Sequence, residues 1–309
     1  LRVIAGACLA AAAASVACAP APSFGTLPAA RAFAGACCAC VIPLSMAWIG
    51  DTTPYASRQG VLARYLVGQI LGMTAGSIAG GFAAGQALWQ WPFVAVAAWF
   101  AAIALLLARS ASRQASGARA GAGHLLADIA AVLREPWARV VVATVFAEGV
   151  ALFGGLAFIA SHLHLERGAS LALAGIVFTG FGAGGILFAT FAGRLGRRLG
   201  EVRLAAGGTV LIAISMAAIA GLEGIAVAAA ACVGTGLGFY MLHNTLQTNA
   251  TQMAPERRGA AVALFASAFF IGQSIGVALT GALVGAGGTH WGIAASSLAI
   301  LPVGLSFAR

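Results

Sequence analysis

Ten runs of apolar residues, each long enough to cross a lipid bilayer, limit what this chain can become. They fall at about 3–19, 29–49, 61–86, 92–108, 139–161, 170–192, 204–222, 224–250, 259–285 and 289–307. A hydrocarbon core about 30 Å thick takes roughly 17–25 helical residues to cross. Leu, Ala, Gly and Val fill the runs without period-2 alternation, so each run satisfies its backbone within a helix rather than in a barrel. With 61% hydrophobic and 8% charged residues among 309, the chain has too little polar surface to clothe a soluble domain. The reading is an all-α, polytopic membrane protein.

Charge gives the orientation. A net charge of +9 invites an anionic partner such as nucleic acid. All 17 basic residues are arginine, however, and most lie in short connections between apolar runs, where they act as cytoplasmic anchors. With Leu1 cytoplasmic, the connections on one side hold only Arg167, while those on the other hold Arg58, Arg109, Arg113, Arg119, Arg134, Arg194, Arg197, Arg198, Arg203, Arg257 and Arg258. Arg2 and Arg309 flank the end runs on that same side. The expectation is therefore no nucleic acid, a lipid bilayer as surroundings (the inner membrane of a bacterium), and a cytoplasmic C-terminus. The first run ends Ala17-Cys18-Ala19 and has the outline of a signal peptide, but nine further runs follow and it reads better as a span. Cys8, Cys18, Cys37, Cys38, Cys40 and Cys232 lie inside apolar runs without metal-site spacing, so they read as packing thiols and no metal is expected.

The longest connection, "RSASRQASGARAGAGHLLADIAAVLREPWAR", is too polar to span. It divides the chain into 1–108 with four spans, a cytoplasmic linker at 109–138, and 139–309 with six. An internal repeat bears on that imbalance. Gly68, Gln69, Gly72 and Gly81 match Gly272, Gln273, Gly276 and Gly285 at identical spacing, and Arg2, Ala5 and Gly6 match Arg203, Ala206 and Gly207 at a similar offset. Four spans precede the Gly-Gln element in the second half and two precede it in the first. The first half is thus short of two helices, the natural count is twelve, and the chain reads as truncated at its N-terminus.

Several stretches carry a family resemblance. "GRLGRRLGEVR" matches a loop patterned G-x-L-a-D-R-x-G-R/K-R/K through Gly193, Leu195, Arg198 and Gly200, with Arg197 at the Asp position. "RAFAGACCA" supplies Arg31 and Gly35 of an R-x-x-q-G-x-x-a pattern, with Ala34 in place of Gln. "WQWPF" and "APERRGAAVALF" fit as well, and "GDTTPYASRQG" with the glycine-lined helix after it is similar to the drug and metabolite antiporter branch, although Gly76-Ser77 stands where that branch often has Gly-Pro. Together these resemble the major facilitator superfamily over essentially the whole chain. The resemblance implies two helical bundles and a monomer without cofactor. It implies secondary active transport of a small solute by alternating access, coupled to protons, with efflux favoured over uptake. Gly193, Arg194, Leu195, Arg198 and Gly200 would then form a cytoplasmic gating motif.

Individual residues sharpen or blunt that expectation. Gly68, Gly72, Gly76 and Gly80 recur every four residues and form a smooth face; with Gly272 and Gly276 they are expected at a sliding contact between the halves, static packing being the alternative. Glu148 lies nine residues past Arg139, about 13 Å along a helix. A carboxylate at that depth is protonated, paired or facing water, which makes it a proton-coupling or substrate candidate; a neutral acid bonded to a neighbouring helix is the bland reading. Arg31 either snorkels to the interface or faces a cavity and holds an anionic group. In "YMLHNTLQTN", His243 and Gln247 are one turn apart, and with Asn244 they line an inward-facing cavity or end a helix at the interface. His162, His164 and Glu166 read as a solvated outer loop, with metal binding the weaker alternative.

No Walker A loop, nucleophile elbow or catalytic metal motif is present, so no enzymatic activity is expected. Two rivals stay open: a complete ten-helix drug/metabolite-type exporter with inverted halves, and a non-transporting membrane receptor or assembly factor on the same fold.

Overall fold

The computed structural model describes residues 1–20, 25–39, 41–53, 55–86, 88–111 and 125–307. Residues 112–124 of the expected linker, with Arg113 and Arg119, lie outside that set, as do Cys40, Pro54, Arg309 and the side chain of Arg58. The described residues form thirteen α-helices and a short 3₁₀ turn, Pro255–Arg257. The helices are α1 (Arg2–Cys18), α2 (Thr26–Cys38), α3 (Val41–Thr52), α4 (Tyr55–Gly85), α5 (Trp91–Ala111), α6 (Leu125–Arg134), α7 (Pro136–Leu156), α8 (Ile159–Leu165), α9 (Leu171–Phe178), α10 (Gly180–Gly221), α11 (Ile225–Ala250), α12 (Arg258–Gly287) and α13 (Thr289–Phe307).

These helices trace the ten expected passes, with α6 as the one addition. The second pass is divided between α2 and α3, and α7 continues into α8. The long α10 holds two passes. Its Gly184 lies against Val233 and Gly236 of α11, and its Phe188 clusters with Leu204 and Met241; beyond the turn, Gly208 faces Gly238 and Ser215 faces Gly234. The two arms of α10 therefore run in opposite directions along α11. The reversal is at Gly200, with φ 71° and ψ 171°, a conformation that glycine adopts without a Cβ penalty. Six stretches among the described residues are long and apolar enough to cross a membrane, and the longest, Leu171–Gly221, is this hairpin.

The chain divides into two compact units, Leu1–Gln69 with Phe82–Ala120, and Ile70–Gly81 with Gly121–Arg309. In the first unit α1 packs on α5 and α2 through small patches, Ile4 and Cys8 against Ala104, and Ala14 and Cys18 against Ala34. The second unit has the larger core, with Leu152, Phe181, Ile212, Met216, Leu242 and Ile293 almost wholly buried. Residues 70–81 of α4 belong to it because Gly81 and Ser77 meet Leu171 and Gly175 of α9 backbone to backbone.

Glycine contacts set the helix spacing in that unit. A Cβ on Gly272 would strike the carbonyl of Phe146, and one on Gly276 the carbonyl of Val150, both on α7. These two glycines thus serve the α7–α12 crossing inside the second unit. Their small faces point at the helix whose backbone lies closest. At Gly68, Gly72, Gly76 and Gly80 an added Cβ meets no described atom within 4 Å.

Candidate functional site

Buried hydroxyls in the second unit are mostly satisfied within their own helices. Thr144 donates to the carbonyl of Val140, Thr209 to Ala205, Thr235 to Ala231 and Thr245 to Met241, each four residues back. Glu148 has no such local solution, because a carboxylate offers no donor to a helix carbonyl. Among the described residues its Oε1 is the one buried side-chain nitrogen or oxygen without a hydrogen-bond partner.

Glu148 is held in place by the residue after it. A Cβ on Gly149 would lie 2.5 Å from the Phe269 carbonyl and 2.9 Å from the Gln273 amide, so only glycine lets α7 rest on the α12 backbone here. Glu148 is then fully enclosed, at 0% exposure. Its Oε2 lies 2.8 Å from Nδ1 of His243 on α11. The imidazole is walled by aromatic rings, with Phe239 near-parallel at 4.9 Å, Phe269 at 4.5 Å and Phe265 at 5.5 Å. Phe153 closes the far side through edge contacts with Phe239 and Phe269. His243 keeps 14% of its side chain exposed, so the open edge of the pair is histidine.

The electrostatics follow from the enclosure. A bare carboxylate without counter-charge is too costly in such surroundings. The hydrogen bond with His243 is the compensation that the described residues supply.

The other expected residues are placed as follows. Asn244 and Gln247 are exposed, on the side of α11 that carries the open edge of His243. Arg31 is exposed in the other unit, with its guanidinium 5.6 Å from the centre of the Phe93 ring, a cation–π arrangement. Around the α10 turn, Leu195 packs against the Phe188 cluster, while Arg194, Arg197 and Arg198 are exposed and have no hydrogen bond or ion pair with described residues. The only acid of that turn, Glu201, receives the Asn249 amide at 3.1 Å.

One expectation is overturned. His162 is not in a solvated loop: α7 continues into α8, and His162 is buried there at 0% exposure. Its partners come from three places, Thr289 at the head of α13, Ile219 near the end of α10, and Glu166 one turn along. Glu166, beyond the end of α8, shows the opposite pattern to Glu148. Burial pushes its carboxyl up, but the Thr289 hydroxyl, the His290 and Thr289 amides and the His290 ring outweigh that and hold it down at about 2.

Comparison with known proteins places the whole arrangement. The family model described as Major Facilitator Superfamily matches residues 1–259 and again 151–309, which together take in the full chain. Among solved structures, the chain is similar to a variant of the E. coli fucose:proton symporter FucP, with a TM-score of 0.65 at 16% identity, covering 100% of this chain and 82% of that one. It is also similar to a FucP transporter in the outward conformation, with a TM-score of 0.63 at 14% identity, covering 99% and 82%. At that identity the likeness is one of fold. No curated protein matches.

Proposed function

The chain belongs to the Major Facilitator Superfamily, and from that premise we propose that it is a secondary active transporter. It moves a small solute by alternating access, with the movement coupled to protons at Glu148 and His243. The observation that carries the reading is the fully buried carboxyl of Glu148, with one oxygen on His243 and the other without a partner among the described residues. A packing residue gains nothing from such a half-satisfied acid, because a neutral side chain of the same shape avoids the cost. A proton-coupling residue needs it, since an acid saturated with donors gives up its readiness to be protonated. Efflux is the favoured direction, supported by the resemblance of "GDTTPYASRQG" and the following glycine-lined helix to the drug and metabolite antiporter branch. Arg31 and the exposed Asn244 and Gln247 are candidates for substrate contact.

The test uses the purified chain in proteoliposomes, screened with radiolabelled sugars, amino acids and organic cations under an imposed pH gradient. At least one solute class should move in the wild type with a rate that follows the gradient, and Glu148→Gln should bring that gradient dependence to the level of empty vesicles. Gradient-dependent flux that survives unchanged in Glu148→Gln contradicts the reading, and no flux for any class favours a non-transporting role. The arginines of the α10 turn act on the balance between open states. Replacing Arg194 and Arg198 together with Ala should shift the labelling of cysteines introduced into the cytoplasmic cavity; unchanged labelling counts against that role.

A further inference from the structure

The turn of α10 gathers positive charge that the described residues leave unanswered. Arg194, Arg197, Arg198 and Arg203 flank its reversal at Gly200, and all four are exposed. None has a hydrogen bond or an ion pair with a described residue. Other arginines of this unit are committed. Arg257 meets Asp128 at 3.2 Å, Arg258 donates to the Thr251 carbonyl at 3.0 Å, and Arg167 donates to the Ala220 carbonyl at 3.2 Å. The one acid of the α10 turn, Glu201, is engaged by the Asn249 amide of α11 at 3.1 Å. Arg197 lies back along its own helix, with a guanidinium nitrogen 3.6 Å from the place a Cβ on Gly193 would take.

Arg197 and Arg198 follow Arg194 by three and four residues, so three like charges share one helix surface and repel. The negative end of the first arm's helix dipole answers part of that charge. The rest calls for an anion from outside the chain, and depth says of what kind. From Leu171, just past the polar Glu166-Arg167 connection, to Leu199, α9 and the first arm of α10 cover about 43 Å at 1.5 Å per residue. A bilayer is about 30 Å thick in its hydrocarbon and about 40–45 Å with its headgroups. The arginines therefore lie in the far headgroup layer, at the level of lipid phosphates. Phe191, Leu199 and Val202 are interleaved with them and are 38%, 38% and 55% exposed. That apolar surface gains by leaving water for acyl chains.

We infer that the α10 turn is a binding surface for anionic phospholipid, with its arginines on the headgroup phosphates and its exposed apolar side chains on the upper acyl chains. A guanidinium meets phosphate oxygens through parallel N–H bonds. A zwitterionic headgroup brings its own cation beside the four arginines, so a headgroup with net negative charge is preferred. A free phosphate matches the arginines but leaves Phe191, Leu199 and Val202 facing water. The inference rests on neither the transport reading nor the gating role of the same turn.

The experiment is a lipid titration of the full chain in detergent, read by native mass spectrometry, with phosphatidylglycerol and phosphatidylcholine of identical acyl chains in competition. The wild type should retain phosphatidylglycerol in preference. Each arginine of the turn replaced by Gln should weaken that retention about fivefold, or about 1 kcal/mol, and Arg194→Gln with Arg197→Gln about 25-fold. Arg257→Gln with Arg258→Gln removes the same charge from arginines already committed and should leave retention within about twofold of the wild type. A wild type that does not discriminate the two lipids overturns the inference, as does an equal loss in both paired variants, which would mean a bulk charge effect. Displacement of the lipid by an equal concentration of inorganic phosphate also overturns it, because the site would then take a free anion. Should the paired variant fail to fold, Arg197→Gln alone decides: a fivefold loss supports the surface, and unchanged retention overturns it.

Discussion

Glu148 and Glu166 each face a histidine within the second compact unit, yet the two carboxyls are opposites in supply. Among the described residues Glu148 has one donor for two oxygens, and it is fully buried. Glu166 receives the Thr289 amide and hydroxyl and the His290 amide and ring, and its carboxyl is held down at about 2. Residue type alone does not separate them. What separates them is how many hydrogens the surrounding backbone and side chains aim at each acid. Glu166 sits where α13 begins, so the free amides of a helix start converge on it. Glu148 sits mid-helix, where every nearby amide is already committed to a carbonyl. An acid at a helix head becomes a tie, and an acid in mid-helix is left short of donors.

Exchanging the roles is the sharpest way to break that comparison. Glu148→Gln should abolish gradient-coupled flux while leaving the unfolding midpoint unchanged or slightly raised, because it removes a half-satisfied buried acid. Glu166→Gln should do the reverse, with coupling retained and stability lowered by about 1–3 kcal/mol as its hydrogen bonds lose a charged acceptor. Its pH signature follows from the depressed carboxyl: the wild type keeps this stabilisation above the ordinary value of 4.5 and loses it as pH falls towards about 2. In Glu166→Gln that acid-side loss should shrink, which thermal unfolding between pH 5 and pH 3 reads directly. If both substitutions lower stability alike, the distinction between tie and proton site fails.

His243→Gln comes next in size. Glutamine can still donate to Oε2 of Glu148 but cannot exchange a proton, so flux should persist at a reduced rate with its pH dependence moved. Phe239→Leu should have the smallest effect, about 1 kcal/mol or less of stability for a near-conservative core change. By thinning the wall beside the imidazole it should speed proton exchange at Glu148, measurable as a faster response to a pH jump.

Much of the fold was legible because a bilayer leaves few options. Ten apolar runs are a consequence of solvent alone, and the helices follow them. The glycine faces were legible as close approaches but not as addresses. Gly272 and Gly68 share a spacing in sequence, yet one lies against α7 and the other meets no described atom. Spacing reports that a helix is smooth, and only the neighbouring helix says what it touches. Glu148 stood out by depth and His243 by its polar run, but their pairing, 95 residues apart, depends on how α7, α11 and α12 cross. His162 was misread because polar residues just beyond an apolar run resemble a loop, and nothing local announces that Thr289 and Ile219 will enclose them.

The most direct measurement of the central claim is the infrared difference spectrum of the carboxyl region between high and low pH, recorded on the full chain in lipid. A buried protonated-carboxyl band should appear on acidification in the wild type, vanish in Glu148→Gln and remain in Glu166→Gln. A spectrum that Glu148→Gln leaves unchanged would mean that Glu148 exchanges no proton, and the coupling role assigned to it and His243 would be wrong.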